Sequence, residues 1–314
     1  MEYEKIGRTE LYVSRIGFGC WAIGGHGYGP VGDRESIRAI RKALDLGVNF
    51  FDTADVYGFG HSEEILSKAL GERRRDVVIA TKFGVRWDAS GRTFRDCSAK
   101  SVMDSLEGSL RRLKLDCIPL YQIHWHDGRT PIAETMGALR RCQEAGKIRY
   151  VGCSNYSLDL IQKSLENGPL ESVQLPYSIG QRHAESILRT CHETLGLGTL
   201  VYSVLVRGLL TGKYSSDVGF REGDTRSRDE QFHGPRLEQH LMLVKALQSA
   251  GIRSGMSPAQ CAIRWVLDQP HVTTAIIGAK TDAQIKENVG ALEGKMVMNR
   301  QLEDILLSHH YERE

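Results

Sequence analysis

Gly17-Phe18-Gly19-Cys20-Trp21-Ala22 is the stretch whose reading decides the fold. It satisfies the dinucleotide fingerprint G-x-G-x-x-A, in which a strand turns into a helix whose N-terminus holds a pyrophosphate. That reading needs a helix to open at the turn, but Gly24, Gly25, Gly27, Gly29 and Pro30 follow at once. Glycine loses the most backbone entropy on ordering and proline lacks a donor, so no helix opens there. A doubly wound open sheet, whose first turn should bind phosphate, loses its main support. The stretch reads instead as the end of a first buried strand, Val13 to Cys20, behind a short hairpin over residues 3 to 16 around Gly7.

Outward from that strand the chain alternates. A helix starting at Asp33 as N-cap, with Ile37, Ile40 and Leu44 on one face, stops at Gly47. Strand two is Phe50-Phe51-Asp52, continuing into Thr53-Ala54-Asp55-Val56-Tyr57-Gly58; alternation puts Phe50 and Asp52 on one face and Phe51 and Thr53 on the other. After a helix from His61, the run Val77 to Thr81 is a strand buried on both faces, ending at Lys82. A loop over 84–97 leads to a helix capped by Ser98, and strand four, Ile118 to Ile123, ends at His124. Strands at Tyr150–Cys153, Ser172–Leu175, Thr199–Tyr202 and Thr273–Ile277 follow, separated by helices beginning at Ile132 and Leu158, and over 181–195, 238–250 and from Ser257-Pro258. Helices over 281–290 and 300–309 close the chain, and the aperiodic 211–236 segment reads as a functional loop. Eight strands alternating with helices, without a linker or composition break, predict an α/β (β/α)8 TIM barrel with an N-terminal β-hairpin, residues 1–314 forming a single domain.

Composition narrows function. Of 314 residues 41% are hydrophobic and 25% charged, enough for a sizeable core. The 41 basic and 39 acidic residues are interspersed, leaving no basic stripe for nucleic acid or a membrane surface. Seven cysteines without a C-x-x-C pair fit reduced thiols, and no apolar leader or bilayer-length run is found, so a cytoplasmic location is expected.

Barrels of this kind carry their chemistry at the carboxyl ends of the strands. Those ends hold Asp52 and Tyr57, then Lys82, then His124, on three adjacent strands. A lysine ending a buried run needs an anion, and Asp52 is the nearest candidate. The cation in turn favours phenolate and brings Tyr57 toward acid–base work, while His124 can align a carbonyl oxygen beside it. A second reading takes His124-Trp125-His126 as an H-x-H metal pair of a barrel hydrolase, but the strand ends supply no third histidine and no metal is expected.

In this order and context Asp52, Tyr57, Lys82 and His124 resemble the tetrad of the aldo-keto reductase superfamily, over about residues 5–295, in its bacterial short-tailed branch. The resemblance implies an oxidoreductase that reduces aldehydes and ketones to alcohols, reversibly for sugars or polyols, with Tyr57 as proton donor, Lys82 lowering its pKa, Asp52 holding Lys82 and His124 orienting the carbonyl. It further implies Ser154, Asn155 and Gln174 at the nicotinamide carboxamide, Tyr202 stacked on its ring, and Ser203, Leu205 and Arg207 along the pyrophosphate. Gly278, Lys280, Gln284 and Asn288 would form the adenosine-phosphate end. Many relatives carry lysine at Gly278 and arginine at Gln284; here Lys280 is the remaining cation, so NADPH is expected, with NADH as the alternative. Trp21, Tyr28, Trp87 and Trp125 are expected to line a pocket for a small carbonyl, sugar or polyol substrate. A non-catalytic auxiliary subunit is the remaining alternative, since fold alone does not prove turnover.

Overall fold

The computed structural model describes residues 1–25 and 31–308. Tyr28 lies outside the described residues. The chain opens with a hairpin of β1 (Tyr3–Lys5) and β2 (Tyr12–Ser14), followed by β3 (Ile16–Gly19), α1 (Asp33–Asp45), β4 (Phe50–Asp52), α2 (His61–Leu70) and β5 (Val78–Phe83). A second hairpin, β6 (Val85–Trp87) and β7 (Thr93–Arg95), precedes α3 (Ala99–Leu113), β8 (Ile118–Ile123), α4 (Ile132–Glu144), β9 (Ile148–Ser154) and α5 (Leu158–Asn167). Then come β10 (Ser172–Pro176), α6 (Glu185–Arg189), β11 (Gly198–Tyr202), α7 (Gly234–Ser254), α8 (Pro258–Leu267), β12 (Thr274–Gly278), α9 (Asp282–Gly290) and α10 (Arg300–Ser308). Among the described residues eight strands close into a barrel in the order β3-β4-β5-β8-β9-β10-β11-β12, every neighbouring pair parallel.

The period-two alternation of strands sorts the side chains. Phe50, Val78, Ala80, Leu120, Leu200 and Ile276 point into the barrel and pack together, joined from below by Ile6, Leu11 and Val13 of the first hairpin. Their neighbours Phe51 and Ile79, and likewise Phe83, Tyr121 and Ile123, point outward against the helices. Each such buried Phe or Ile contributes about 1.5–3 kcal/mol of transfer free energy. The hairpin seals the N-terminal mouth closely: a Cβ at Gly7, whose φ is +47°, would lie 2.6 Å from the Gly198 backbone nitrogen. All seven cysteines are free thiols, and six are buried.

Several elements differ from the sequence reading. The long first strand is two, because Arg15 between them bonds backbone oxygens of Leu267 and Val272 and its own nitrogen turns back to Glu2 O. Asp33 is the first helical residue rather than the cap; Gly32 holds that position and supplies no side-chain bond, and the Asp33 carboxylate meets His61 Nε2 at 2.9 Å instead. The helix expected over 181–195 is α-helical only from Glu185 to Arg189 and then widens into a π-type turn over Thr190–Thr194. Residues 84–97 contain the β6–β7 hairpin, α7 starts four residues early at Gly234, and the 211–236 loop includes short 3-10 turns at Thr225–Arg228 and Glu230–Phe232.

Candidate active site

Alternation along β4, β5 and β8 carries the inward apolar positions upward into polar ones: above Phe50 stands Asp52, above Ala80 stands Lys82, above Leu120 stand Gln122 and then His124. Lys82 is fully buried and Asp52 4% exposed, so neither charge can be left to water. Lys82 Nζ donates to Asp52 Oδ2 at 2.6 Å and to Thr53 O at 2.9 Å. The other oxygen, Oδ1, accepts from Gln174 Nε2 at 2.8 Å and Gln122 Nε2 at 3.2 Å. The carboxylate is thus tied from three strands besides its own.

Tyr57 reaches this pair from the turn after β4. Its nitrogen donates to Ala54 O at 3.2 Å and its carbonyl accepts from Ser62 N at 3.1 Å. The next residue, Gly58, has φ +61°, and a Cβ there would stand 2.1 Å from Gly24 O, so the turn is pressed against the loop that follows β3. Lys82 Nζ lies 5.2 Å from the centroid of the Tyr57 ring. The His124 imidazole meets that ring edge-on, centroids 5.7 Å apart at 80°, and its Nδ1 is buried without a hydrogen-bond partner among the described residues. Burial first, then Lys82 and Arg95, hold the His124 pKa well below its ordinary value. The imidazole is therefore neutral at pH 7.

These groups open onto a cleft of about 1070 Å³ at the C-terminal mouth. Ser154, Asn155, Gln174, Tyr202, Ser203, Leu205 and Arg207 all line it, as do Gly278, Lys280, Gln284 and Asn288 at its other end. Their polar atoms are partly committed. Asn155, at φ +60°, donates through Nδ2 to His124 O at 3.1 Å and accepts at Oδ1 from the Tyr202 hydroxyl at 2.7 Å. Gln174 sends its amide N–H inward to Asp52. Arg207, at φ +53°, places its guanidinium 4.7 Å over the Trp21 ring and pairs with Asp229 at 2.8 Å, thereby crossing from the β3 side to the 211–236 loop. Trp21 and Trp125 line the cleft, the latter under Arg95 at 4.4 Å. Trp87 does not: it stacks behind Phe59, centroids 5.5 Å apart, and Phe59 is the residue on the wall.

The far end fits an adenosine phosphate. Thr281 caps α9, Gln284 Oε1 accepts from Lys280 N at 2.7 Å, and Asn288, 4% exposed, has its Nδ2 buried with no partner among the described residues. A buried amide donor facing a cleft asks for an acceptor on whatever fills it. The sequence offers Lys280 as the remaining cation for a 2′-phosphate; the fold adds Lys213 and Arg226 to the same wall. Burial and then the positive charge of Arg226 pull the Lys280 ammonium below its ordinary pKa, with Asp224 opposing and Lys213 adding to the depression. Crowded cations of this kind favour an anion. Gln122, also unforeseen, was legible as the inward position between Leu120 and His124; Lys213 and Arg226 had no periodic signal.

The H-x-H pair does not converge. His126 accepts from Gly128 N at 3.0 Å through Nδ1 and turns Nε2 toward Thr130 O at 3.3 Å, so both its nitrogens are committed to its own loop. Among the described residues no three His, Cys, Asp or Glu side chains gather as metal ligands.

A closed eight-stranded barrel with a buried carboxylate–lysine pair, a phenol and a neutral imidazole at its C-terminal mouth defines an oxidoreductase of the (β/α)8 type. The chain belongs to the aldo/keto reductase family, whose model matches residues 15–303, and is an NAD(P)H-dependent enzyme. It is similar to the aldo-keto reductase YhdN of Bacillus subtilis, 40% identical over 91% of this chain and 87% of that one. It is also similar to the NADH-specific methylglyoxal reductase of Escherichia coli, 34% identical over 93% and 94%. Among solved structures, glycerol dehydrogenase AKR11B4 from Gluconobacter oxydans superposes with a TM-score of 0.88 at 37% identity, covering 99% of this chain and 96% of that one.

Proposed function

We propose that the protein reduces small polar aldehydes and ketones with NADPH, reversibly for polyols, and that Tyr57 gives the proton. The observation that carries this reading is the Lys82 ammonium, anchored at 2.6 Å on Asp52 and 5.2 Å from the Tyr57 ring, with a neutral His124 at the ring's edge. Dihydronicotinamide, when bound, supplies the hydride. Tyr57 transfers its proton to the developing alkoxide, and the Lys82 charge eases departure of that proton. A neutral imidazole is the form that donates one hydrogen bond to a carbonyl oxygen without adding a second cation beside Lys82. Asp52, held by two glutamines, keeps the ammonium in place.

Ser154, Asn155, Gln174 and Tyr202 would hold the nicotinamide end, Ser203, Leu205 and Arg207 the diphosphate, and Gly278, Gln284 and Asn288 the adenosine. The cluster of Lys213, Arg226 and Lys280 favours NADPH over NADH, because a 2′-phosphate adds charge where cations already crowd. The names of the Escherichia coli and Gluconobacter relatives support a small oxygenated substrate, and Trp21, Phe59 and Trp125 give that substrate an apolar wall. Residues 1–314 act as one barrel unit in this reading, in a compartment that keeps thiols reduced.

The test compares wild type with Tyr57→Phe, following NADPH fluorescence for binding and absorbance for turnover of a panel of aldehydes, ketones and sugars. Tyr57→Phe should bind NADPH normally and lose about 10²–10⁴-fold in kcat. Unchanged turnover would overturn the proton donor; NADPH binding with no turnover by wild type on any carbonyl would favour the auxiliary-subunit reading.

A further inference from the structure

Behind the Tyr57 turn lies a second buried charged group that the chemistry above does not use. Asp55 is 1% exposed and does not line the cleft, and among the described residues neither of its carboxylate oxygens has a hydrogen-bond partner. The elements around it each contribute a polar group. From α2 comes Glu63, fully buried, and from α3 come Ser105 and Arg112; β6 contributes Arg86, β8 the buried Tyr121 and β5 the Thr81 hydroxyl and the Lys82 carbonyl.

The cationic donors in this chamber are already assigned, which leaves near Asp55 only the neutral hydroxyls of Ser105 and of Tyr121, the latter without a partner among the described residues. Glu63 accepts from Thr81 Oγ1 at 2.6 Å and from Arg112 Nε at 2.6 Å. Arg86 Nη1 goes to Ser105 Oγ at 2.8 Å, and Arg112 Nη2 leans toward Ser109. Glu63 therefore holds the well-made charged contacts, and Asp55 faces a neighbouring anion with none. Two carboxyl groups that share a dry chamber cannot both ionise cheaply, and the one without a charged donor keeps the proton. Burial and then Glu63 raise the Asp55 pKa to about 7, with Ser105, Arg112 and Arg86 pulling the other way without reversing it.

Asp55 is placed to pass its charge state on to the catalytic turn. Its own nitrogen donates to Lys82 O at 3.4 Å, a long contact, and Ala54 and Val56 on either side hold the nitrogens of Tyr57 and Phe59 at 3.2 and 3.1 Å. One side of the turn is fixed by Gly58 against Gly24, and Asp55 carries the turn's charge into the chamber of Glu63, Ser105 and Arg112. An ionised Asp55 adds a second negative charge beside Glu63, and that repulsion is relieved by moving the turn outward.

The geometry points to Asp55 as a positioning residue for Tyr57: its neutral carboxyl seats the turn, and loss of that proton unseats it, setting the alkaline limit of carbonyl reduction. This inference rests on Tyr57 being the proton donor.

The experiment measures kcat and KM with NADPH and a reactive aldehyde between about pH 5.5 and 9.5 for wild type and Asp55→Asn, beside NADPH affinity at each pH. Wild-type kcat should fall about tenfold per unit above about pH 7 with NADPH affinity flat, and Asp55→Asn, a neutral isostere, should lose that limb. Superimposed kcat profiles from two folded proteins would overturn the proposal and leave the reading of Tyr57 intact. An active Tyr57→Phe variant would instead break the reading it rests on. Should Asp55→Asn fail to fold, infrared spectroscopy of wild type decides: a protonated carboxylic acid band that disappears near pH 7 supports the proposal, and its absence below pH 6 overturns it.

Discussion

Replacing Lys82 with methionine keeps an unbranched stem and removes only the ammonium. Asp52 then stands 4% exposed with its Oδ1 still accepting from Gln122 and Gln174 and its Oδ2 facing nothing charged. Removing one member of a buried ion pair costs about 3–5 kcal/mol. The stranded carboxylate has one escape, which is to take up a proton. From an ordinary aspartate pKa near 4, that costs about 1.4 kcal/mol per pH unit, about 4 kcal/mol at pH 7 but only about 1–2 kcal/mol at pH 5. The penalty should therefore shrink in acid. At about 2 °C per kcal/mol for a chain of this size, Lys82→Met should melt about 6–8 °C below wild type at pH 7 and about 2–4 °C below it at pH 5. Scanning calorimetry at the two pH values reads both numbers. A loss of the same size at both pH values, or a loss under about 2 °C at pH 7, would refute the argument that Asp52 is a charge held by Lys82. The double variant Asp52→Asn/Lys82→Met should be more stable at pH 7 than the sum of the single losses allows, because it strands no charge.

Other outcomes follow from the same geometry. Neutral His124 has a pKa depressed below that of the unfolded chain, so the unfolded state binds the extra proton first; His124 destabilises the fold as pH drops through about 6.5 and leaves kcat without a step there, and His124→Asn should lower kcat about 10–100-fold at all pH values between about 5 and 7. Arg226→Met combined with Lys280→Met should raise the NADPH KM about 10–100-fold and the NADH KM less than about threefold, measured side by side; equal changes would move the phosphate site elsewhere. Gly58→Ala, at φ +61° and 2.1 Å from Gly24 O, should cost about 2–4 kcal/mol by denaturant unfolding and lower kcat with it, and a neutral result would mean the turn is not pinned.

Much of this architecture was legible because strands obey a strict period of two. Phe50, Ala80 and Leu120 had to face inward if those strands were buried, and that alone aimed Asp52, Lys82 and His124 at one point. The same rule would have named Gln122. What escaped was set by contacts distant in sequence. Lys213 and Arg226 sit in a loop with no periodicity, and only the folding of that loop over the barrel mouth brings them to Lys280. Trp87 reads as an aromatic near the mouth, but Phe59, whose backbone takes φ +56°, stands in front of it. The interrupted helix after Gln181 has the composition of a continuous one, and the widening at Thr190–Thr194 appears only in the hydrogen-bond pattern. Asp55 reads as an ordinary loop carboxylate until Glu63, eight residues on, is found beside it.

The seven free thiols have a meaning for an enzyme that handles electrophiles. Burial raises the pKa of Cys20, Cys97, Cys117, Cys142, Cys153, Cys191 and Cys261, and none of them lines the cleft. The thiolate is the form that adds to aldehydes, and here it is both scarce and walled off. A carbonyl compound held at Tyr57 therefore meets no thiol, so the cysteines should stay unmodified through turnover.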